Sequence, residues 1–434
     1  MTGMGDWVAA VRVYRDPRIF AVLLLGFSSG LPLALTGSTL AVWMAETGVS
    51  LKEIGFFSLV GTPYVFKFLW APLVDRLPLP LLTAGFGRRR GWMLFTQALL
   101  ILAIVMLGAT NPAESPWNTA LWAVLVAFCS ASQDIVIDAW RVEILKEEQY
   151  GAGAAAVQFG YRIAMLTSGA GALFLAGVAP WPVVYAVAGG LVGIGMLTVL
   201  LSPEPPTVAA PPAASAGAVA WVRDAVAEPF QDMIQRHGMM VVAILCFVLL
   251  YKLGDALAGM MSNPFYIQMG FSKGEIASVS KLFGFVATIL GTFLGGVAVA
   301  RFGIPKSLMV CGVLQMLSNL MFAAQAMAGH DIAMLTATIG IENLAGGMGS
   351  AAFVAYLSRL CGLGYTGTQY ALLSSLAAFG RTVISSSGGM MVEAMGWVSF
   401  FLLSTAAALP GLLLLAWMMR RDRADSPRPA PGWA

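Results

Sequence analysis

The sequence predicts an all-α polytopic membrane protein, with twelve transmembrane helices in two six-helix bundles related by pseudo-twofold symmetry. Composition, the number of apolar runs and the placement of basic residues predict it together. Of 434 residues, 58% are hydrophobic and 11% charged, and mean hydropathy is +0.79; soluble chains carry roughly a quarter charged residues. A water-soluble enzyme is excluded. At roughly 20 apolar residues per crossing, the length holds about twelve crossings and leaves no room for a sizeable aqueous domain.

In chain order the crossings fall near Arg18 to Trp43, Leu51 to Val74, Gly91 to Gly108, Trp117 to Trp140, Gly151 to Val178 and Pro182 to Leu201. Six more follow near Gly238 to Met261, Glu275 to Ala300, Lys306 to Met327, Ile332 to Ser358, Thr368 to Val392 and Val398 to Met419. Asp16-Pro17 suits an N-cap followed by proline at the first helical position. The run from Ile19 is too long for a signal-peptide core and carries no small-residue cleavage signature, so it stays as the first crossing.

Alternate loops hold nearly all the basic residues outside the crossings, among them Arg12, Arg15, Arg88, Arg90, Lys146, Arg236, Lys306, Arg359 and Arg420. The opposite loops hold Lys52 and Lys273. Cytoplasmic loops retain Lys and Arg, so both termini are expected in the cytoplasm. Residues 1–201 then form the first bundle, 202–237 a cytoplasmic linker, 238–420 the second bundle and 421–434 a cytoplasmic tail. The linker is Pro/Ala-rich at first, and then amphipathic through Trp221, Val222, Val226, Phe230 and Met233, which predicts a helix on the membrane face.

An internal repeat agrees with the six-and-six division. Phe159-Gly160-Tyr161-Arg162 with Ser168-Gly169 following matches Phe379-Gly380-Arg381 with Ser387-Gly388 following, at the same Arg-to-Ser spacing. Transporters built from parallel repeats place related helices in corresponding positions of each half.

Ionisable residues inside crossings carry the chemistry, because each costs roughly 2.5 to 3.5 kcal/mol on insertion scales. They are Lys67, Asp134, Asp138, Arg162, Lys252, Asp255, Lys281, Glu342 and Arg381. Arg162 and Arg381 lie some 16 to 21 Å into their helices at 1.5 Å per residue, too deep to snorkel easily. With Lys67 and Lys252 they form either a basic cluster at mid-membrane for an anionic ligand, guanidinium forks suiting carboxylates, or a set of internal ion pairs. Gln158, one turn from Arg162, and Tyr161 are candidate sugar contacts; Gln133 and Asn343 complete the substrate-binding set.

The two histidines, His237 and His330, lie in loops, so a proton carrier inside the membrane has to be a carboxylate. Asp134, Asp138, Asp255 and Glu342 are the candidates. Asp134 and Asp138 share a helix face, where neighbouring carboxylates hold protons more tightly. The four cysteines show no paired spacing, the scattered basic residues form no stripe for nucleic acid, and no cofactor, metal or obligate protein partner is indicated.

Asp75-Arg76, with Gly87-Arg88-Arg89-Arg90 beyond it, matches in diluted form the G-x-x-x-D-R-x-G-R-R turn of major facilitator transporters. Ala71 stands at the first glycine's place, and ten residues separate Arg76 from Gly87. Asp75, Arg76, Arg88 and Arg89 are therefore the candidate gating latch. The pairs Gly26 and Gly30, Gly189 and Gly193, and Gly291 and Gly295 have the spacing of close helix packing. Pro32 is expected to kink the first crossing, and Trp43, Trp70, Trp117, Trp140, Trp181 and Trp397 suit interfacial belts.

Longer blocks resemble one family. Gly30-Leu31-Pro32-Leu33-Ala34-Leu35-Thr36, Phe66-Lys67-Phe68-Leu69-Trp70-Ala71-Pro72-Leu73, Gly87-Arg88-Arg89-Arg90-Gly91-Trp92, Ser130-Ala131-Ser132-Gln133-Asp134-Ile135, Glu342-Asn343-Leu344-Ala345-Gly346-Gly347-Met348-Gly349 and Thr368-Gln369-Tyr370-Ala371-Leu372-Leu373-Ser374-Ser375 resemble the AmpG-type muropeptide permeases of the major facilitator superfamily. The resemblance runs from about Tyr14 to Leu415. It implies the major facilitator fold and an inner-membrane carrier that imports GlcNAc-1,6-anhydro-MurNAc, with or without peptide, by proton symport for peptidoglycan recycling. Such cargo carries carboxylates, which suits the cation excess.

The resulting expectation is a secondary transporter working by alternating access on protons and an anionic sugar-peptide. One alternative is a carrier of another anionic metabolite such as acetyl-coenzyme A, which related transporters move. The other is an intramembrane enzyme on lipid-linked saccharides, against which stands the lack of any H-E-x-x-H motif, membrane-embedded histidine or soluble catalytic domain.

Overall fold

In the computed structural model, residues 10–206, 218–385 and 387–425 are described, with the backbone alone at 51, 52, 58, 218–226, 273, 381–385 and 422–425. The described residues are helical with no strands. They form two compact units, Met1–Met233 with Leu357–Ser375, and Ile234–Tyr356 with Leu376–Ala434.

In the first unit, α1 (Pro17–Thr36) begins where Asp16 Oδ1 accepts the Arg18 amide at 2.9 Å, with proline in the first turn. Pro32 lies inside it, and Gly37 separates it from α2 (Ser38–Glu46). The second expected crossing is not one helix. It divides into α3 (Leu51–Phe56), α4 (Thr62–Phe66) and α5 (Ala71–Arg76), joined by 3-10 turns at Phe57–Gly61 and Lys67–Leu69. Pro63 and Pro72 open α4 and α5, and a proline lacks the amide that would bond back into the preceding turn.

After α6 (Leu82–Phe86) come α7 (Arg88–Gly108) and α8 (Pro116–Ile144), then α9 (Tyr150–Leu166), a π-helical turn over Thr167–Gly171, α10 (Ala172–Ala176) and α11 (Trp181–Leu201). Glycine lets α1 and α9 touch backbone to backbone: a Cβ on Gly26 would lie 2.4 Å from Val157 O, and one on Gly160 2.0 Å from Leu23 O. The linker contributes α12 (Ala218–His237).

In the second unit, α13 (Met240–Leu250) and α14 (Leu253–Gln268) meet at Lys252. A π-helical stretch at Ile276–Phe283 leads into α15 (Gly284–Phe302), followed by α16 (Ile304–Ala328). α17 (Ile332–Leu360) and α18 (Thr366–Ser385) each give residues to both units. α19 (Gly388–Ala407) and α20 (Leu409–Asp425) end the chain. Gly291 and Gly295 seat α15 on Leu344 and Met348 of α17. Gly193 is a correction to the expected packing pairs: nothing lies within 4 Å of the place its Cβ would take, so it faces outward.

Nine helices among the described residues are long and apolar enough to cross a membrane. Set beside twelve expected crossings, the broken second segment, α17 and α18 fall outside that criterion. The boundary expected between Val392 and Val398 is also shifted: α18 ends at Ser385, and α19 runs through the region with a break at Gly396, whose φ of 75° suits glycine.

Each unit repeats one capping device. In Gly48-Val49-Ser50-Leu51-Lys52-Glu53-Ile54, the Ser50 Oγ accepts the Glu53 amide at 3.3 Å and Glu53 Oε2 accepts the Ser50 amide at 3.2 Å. Ser272 and Glu275 do the same at 3.3 and 2.7 Å. Gly48 and Gly270 turn the chain into each cap at φ 83° and 87°. This capping box is a second trace of the internal repeat.

Candidate functional site

The central acid cluster of the first unit grows from α8. Its residues four apart share a face, so Asp134 and Asp138 point the same way, and Arg141 follows three residues later. Asp134 Oδ1 accepts the Ser29 hydroxyl of α1 at 2.5 Å. Asp138 lies 3.9 Å from Lys67 Nζ and 3.2 Å from Arg141 Nη2. The hydroxyls of Tyr64 and Tyr161 lie within electrostatic reach of Asp134. The cluster thus gathers Lys67, Asp134, Asp138 and Tyr161 from the sequence-derived candidates.

Gln133 points elsewhere. It is fully buried, and its Oε1 accepts the Ser28 hydroxyl at 3.3 Å. Gln158 and Arg162 are half-buried on α9; the Gln158 Nε2 makes no hydrogen bond within the protein. Arg381 lies on α18, and its side chain is outside the described residues.

The second unit has a smaller cluster. Lys252 Nζ donates to Gln315 Oε1 at 3.1 Å and Ser350 Oγ at 3.0 Å, and lies 3.5 Å from Asp255 Oδ2. Lys67 and Lys252 are therefore both paired with acids, as the ion-pair alternative holds. Asn343 joins two helices, its Oδ1 accepting the Thr288 hydroxyl at 2.7 Å. Glu342, at the position before it on α17, is half-buried.

The latch residues assemble around Asp75, which is 1% exposed. Its carboxylate accepts the Gly367 amide at 3.1 Å and the Thr368 amide and hydroxyl, each at 2.7 Å, at the start of α18. A helix start offers unpaired amides and the positive end of its dipole, so a carboxylate is stabilised there. Arg89 Nη2 lies 2.8 Å from Asp75 Oδ1 and 2.5 Å from Glu143 Oε1, and Arg88 donates to the Asp75 carbonyl at 2.7 Å. Arg76 pairs with Glu228 of α12, and Glu228 also accepts the Tyr365 hydroxyl at 2.8 Å. Gln369 donates to Pro229 O at 2.8 Å and Asp232 Oδ2 at 2.7 Å. Arg141 extends the clasp through Ser358 Oγ at 3.1 Å and the Tyr370 ring at 5.2 Å.

Burial and the Glu228 hydrogen bond push the Tyr365 phenol up to about 12, so it donates as a neutral hydroxyl. Ser29, Arg141, Glu143, Glu204, Glu228, Tyr365 and Thr368 are functional candidates that sequence reasoning missed. Glu204 caps α7 by accepting the Arg89 and Arg90 amides at 2.8 and 3.0 Å. The available signals were weak: Glu204 is an acid within a proline-rich stretch, and Thr368-Gln369-Tyr370 belongs to a resembling block that suggested no role by itself.

Paired acids and cations at the centre of a unit, together with a carboxylate clasp at the basic ends of its helices, are the parts of a membrane carrier. The Major Facilitator Superfamily family model matches residues 22–286 and 244–434, and the chain belongs to that superfamily of transporters. Among its relatives, the anhydromuropeptide permease of Escherichia coli strain K12 is 44% identical over 408 residues, 93% of this chain and 80% of the relative. Two solved structures share the fold: FucP in the outward conformation, at TM-score 0.66 and 13% identity over 94% of this chain and 99% of the other, and the proton:xylose symporter XylE, at 0.64 and 12% over 96% of each.

Proposed function

We propose that the protein is a multi-pass inner-membrane transporter, with both termini cytoplasmic, that imports anhydromuropeptides from the periplasm for peptidoglycan recycling. The observation that carries the substrate class is the 44% identity to the anhydromuropeptide permease across 93% of the chain. Transport runs by alternating access, with a proton moving in the same direction as GlcNAc-1,6-anhydro-MurNAc or its peptide-bearing forms. Arg162, Arg381, Lys67 and Lys252 attract the cargo carboxylates, with Gln158, Tyr161 and Asn343 as the polar contacts.

Asp134 is the carboxylate best suited to carry the coupled proton, with Asp138, Asp255 and Glu342 in support. It faces Lys67 from the second segment, Ser29 from α1, Tyr161 from α9 and Asp138 from its own helix. Asp75, Arg76, Arg88 and Arg89 hold the cytoplasmic gate. The test is uptake of labelled disaccharide-anhydro-peptide into proteoliposomes under an imposed pH difference, acid outside. Accumulation that vanishes when an ionophore collapses the difference supports the reading; accumulation unchanged by collapse removes proton coupling, and no uptake of any anhydromuropeptide removes the substrate class.

A further inference from the structure

A cavity of about 380 Å³ opens in the first unit between the α1–α2 break and the second segment. Thr36, Gly37 and Ser38 form one wall, and Phe57, Gly61 and Tyr64 the other. The helix interruption at Gly37 and the 3-10 turn ending at Gly61 make this space, since neither position carries a side chain to fill it. Its volume is many times the roughly 30 Å³ that one liquid water occupies. Both walls belong to the ends of their segments opposite the basic loops.

At the inner end stands Tyr64. Its hydroxyl and that of Ser130 are neighbours, both buried, and neither makes a hydrogen bond within the protein. Ser130 is 0% exposed and sits on α8 four residues before Asp134, hence on the same helix face. Two buried hydroxyls left unpaired next to a wet-sized space are costly unless water or a moving proton uses them.

We infer that this cavity is a water-filled proton port, separate from the cargo route, and that Tyr64 and Ser130 relay protons from it to Asp134. A hydronium in the cavity gives a proton to the Tyr64 oxygen while the phenol passes its own to Ser130. Ser130 likewise releases its original proton to the Asp134 carboxylate. Water, a neutral phenol, a neutral alcohol and a carboxylic acid remain, so charge and atoms balance. Ser29, Lys67, Asp138 and Tyr161 also face Asp134 and set its affinity for that proton. The inference rests on the reading that Asp134 carries the coupled proton.

Two measurements test it in proteoliposomes. Tyr64→Phe and Ser130→Ala are each expected to lower uptake driven by the pH difference about a hundredfold, the low end for a positioned proton transfer. Both should keep substrate counterflow, which needs no net proton movement. Unchanged driven uptake, or equal loss of driven uptake and counterflow, overturns the relay. In a Cys246→Ser background, Ala41→Cys and Gly61→Cys are expected to react with an impermeant cationic methanethiosulfonate added outside. No reaction means that the crevice holds lipid, which overturns the port. Uptake by the unaltered protein that ignores the pH difference would fell the coupling reading and the relay together, whereas normal coupling with unaffected variants fells the relay alone.

Discussion

Asp75 shows how one side chain can join distant parts of the chain. It accepts three donors from Gly367 and Thr368 and also faces Arg89. Asp75→Asn leaves Arg89 beside Glu143 alone and puts an amide against backbone amides; breaking a buried pair costs about 3 to 5 kcal/mol. A large fall in melting temperature in detergent is expected, with a smaller fall for Thr368→Val. Asp134→Asn should instead leave the melting temperature near its original value and abolish pH-driven uptake, measured in the same vesicles. Asp75 and Arg89 were legible because a turn motif marks them. Glu143, Glu204 and Glu228 were not, because their partners lie across the fold and no spacing within one helix announces them.

For whole helices, apolar length predicted position well and continuity poorly. The second segment is apolar enough to read as a single crossing, yet Pro63 and Pro72 divide it where its amides would have paired. Glycine spacing was equally incomplete. Gly26 and Gly160 support direct backbone contact between α1 and α9, while Gly193 faces open space at the same four-residue interval. Gly160→Ala is therefore expected to reduce the folded fraction sharply, since its methyl would enter Leu23 O. Gly193→Ala should be neutral or stabilising by about 0.4 to 1 kcal/mol. Monodisperse yield by size-exclusion chromatography and thermal melting distinguish the pair.

Across the molecule, the Arg162 and Arg381 motifs point to an internal repeat, and the matching caps at Ser50 and Ser272 are a second trace of it. The tie between the linker and Arg76 was not legible, because amphipathic pattern places α12 on a surface without saying what Glu228 meets. That tie has a defined pH response. The fold raises the Tyr365 phenol from 10 to about 12, so its neutral form is the one stabilised; the contribution is complete below pH 10 and is lost as pH rises through about 12. The difference in melting temperature between the unaltered protein and Tyr365→Phe should stay constant from pH 6 to 9 and vanish at strongly alkaline pH.

The divided second segment also sets a tempo. Short helical pieces joined by 3-10 turns hold fewer cooperative amide bonds than an unbroken rod, so local opening there requires no wider unfolding. Deuterium from solvent water should label Phe57–Gly61 and Lys67–Leu69 well before the middle of Arg88–Gly108. The stretch beside the proposed proton port would then be the quickest-exchanging backbone in the first unit's interior.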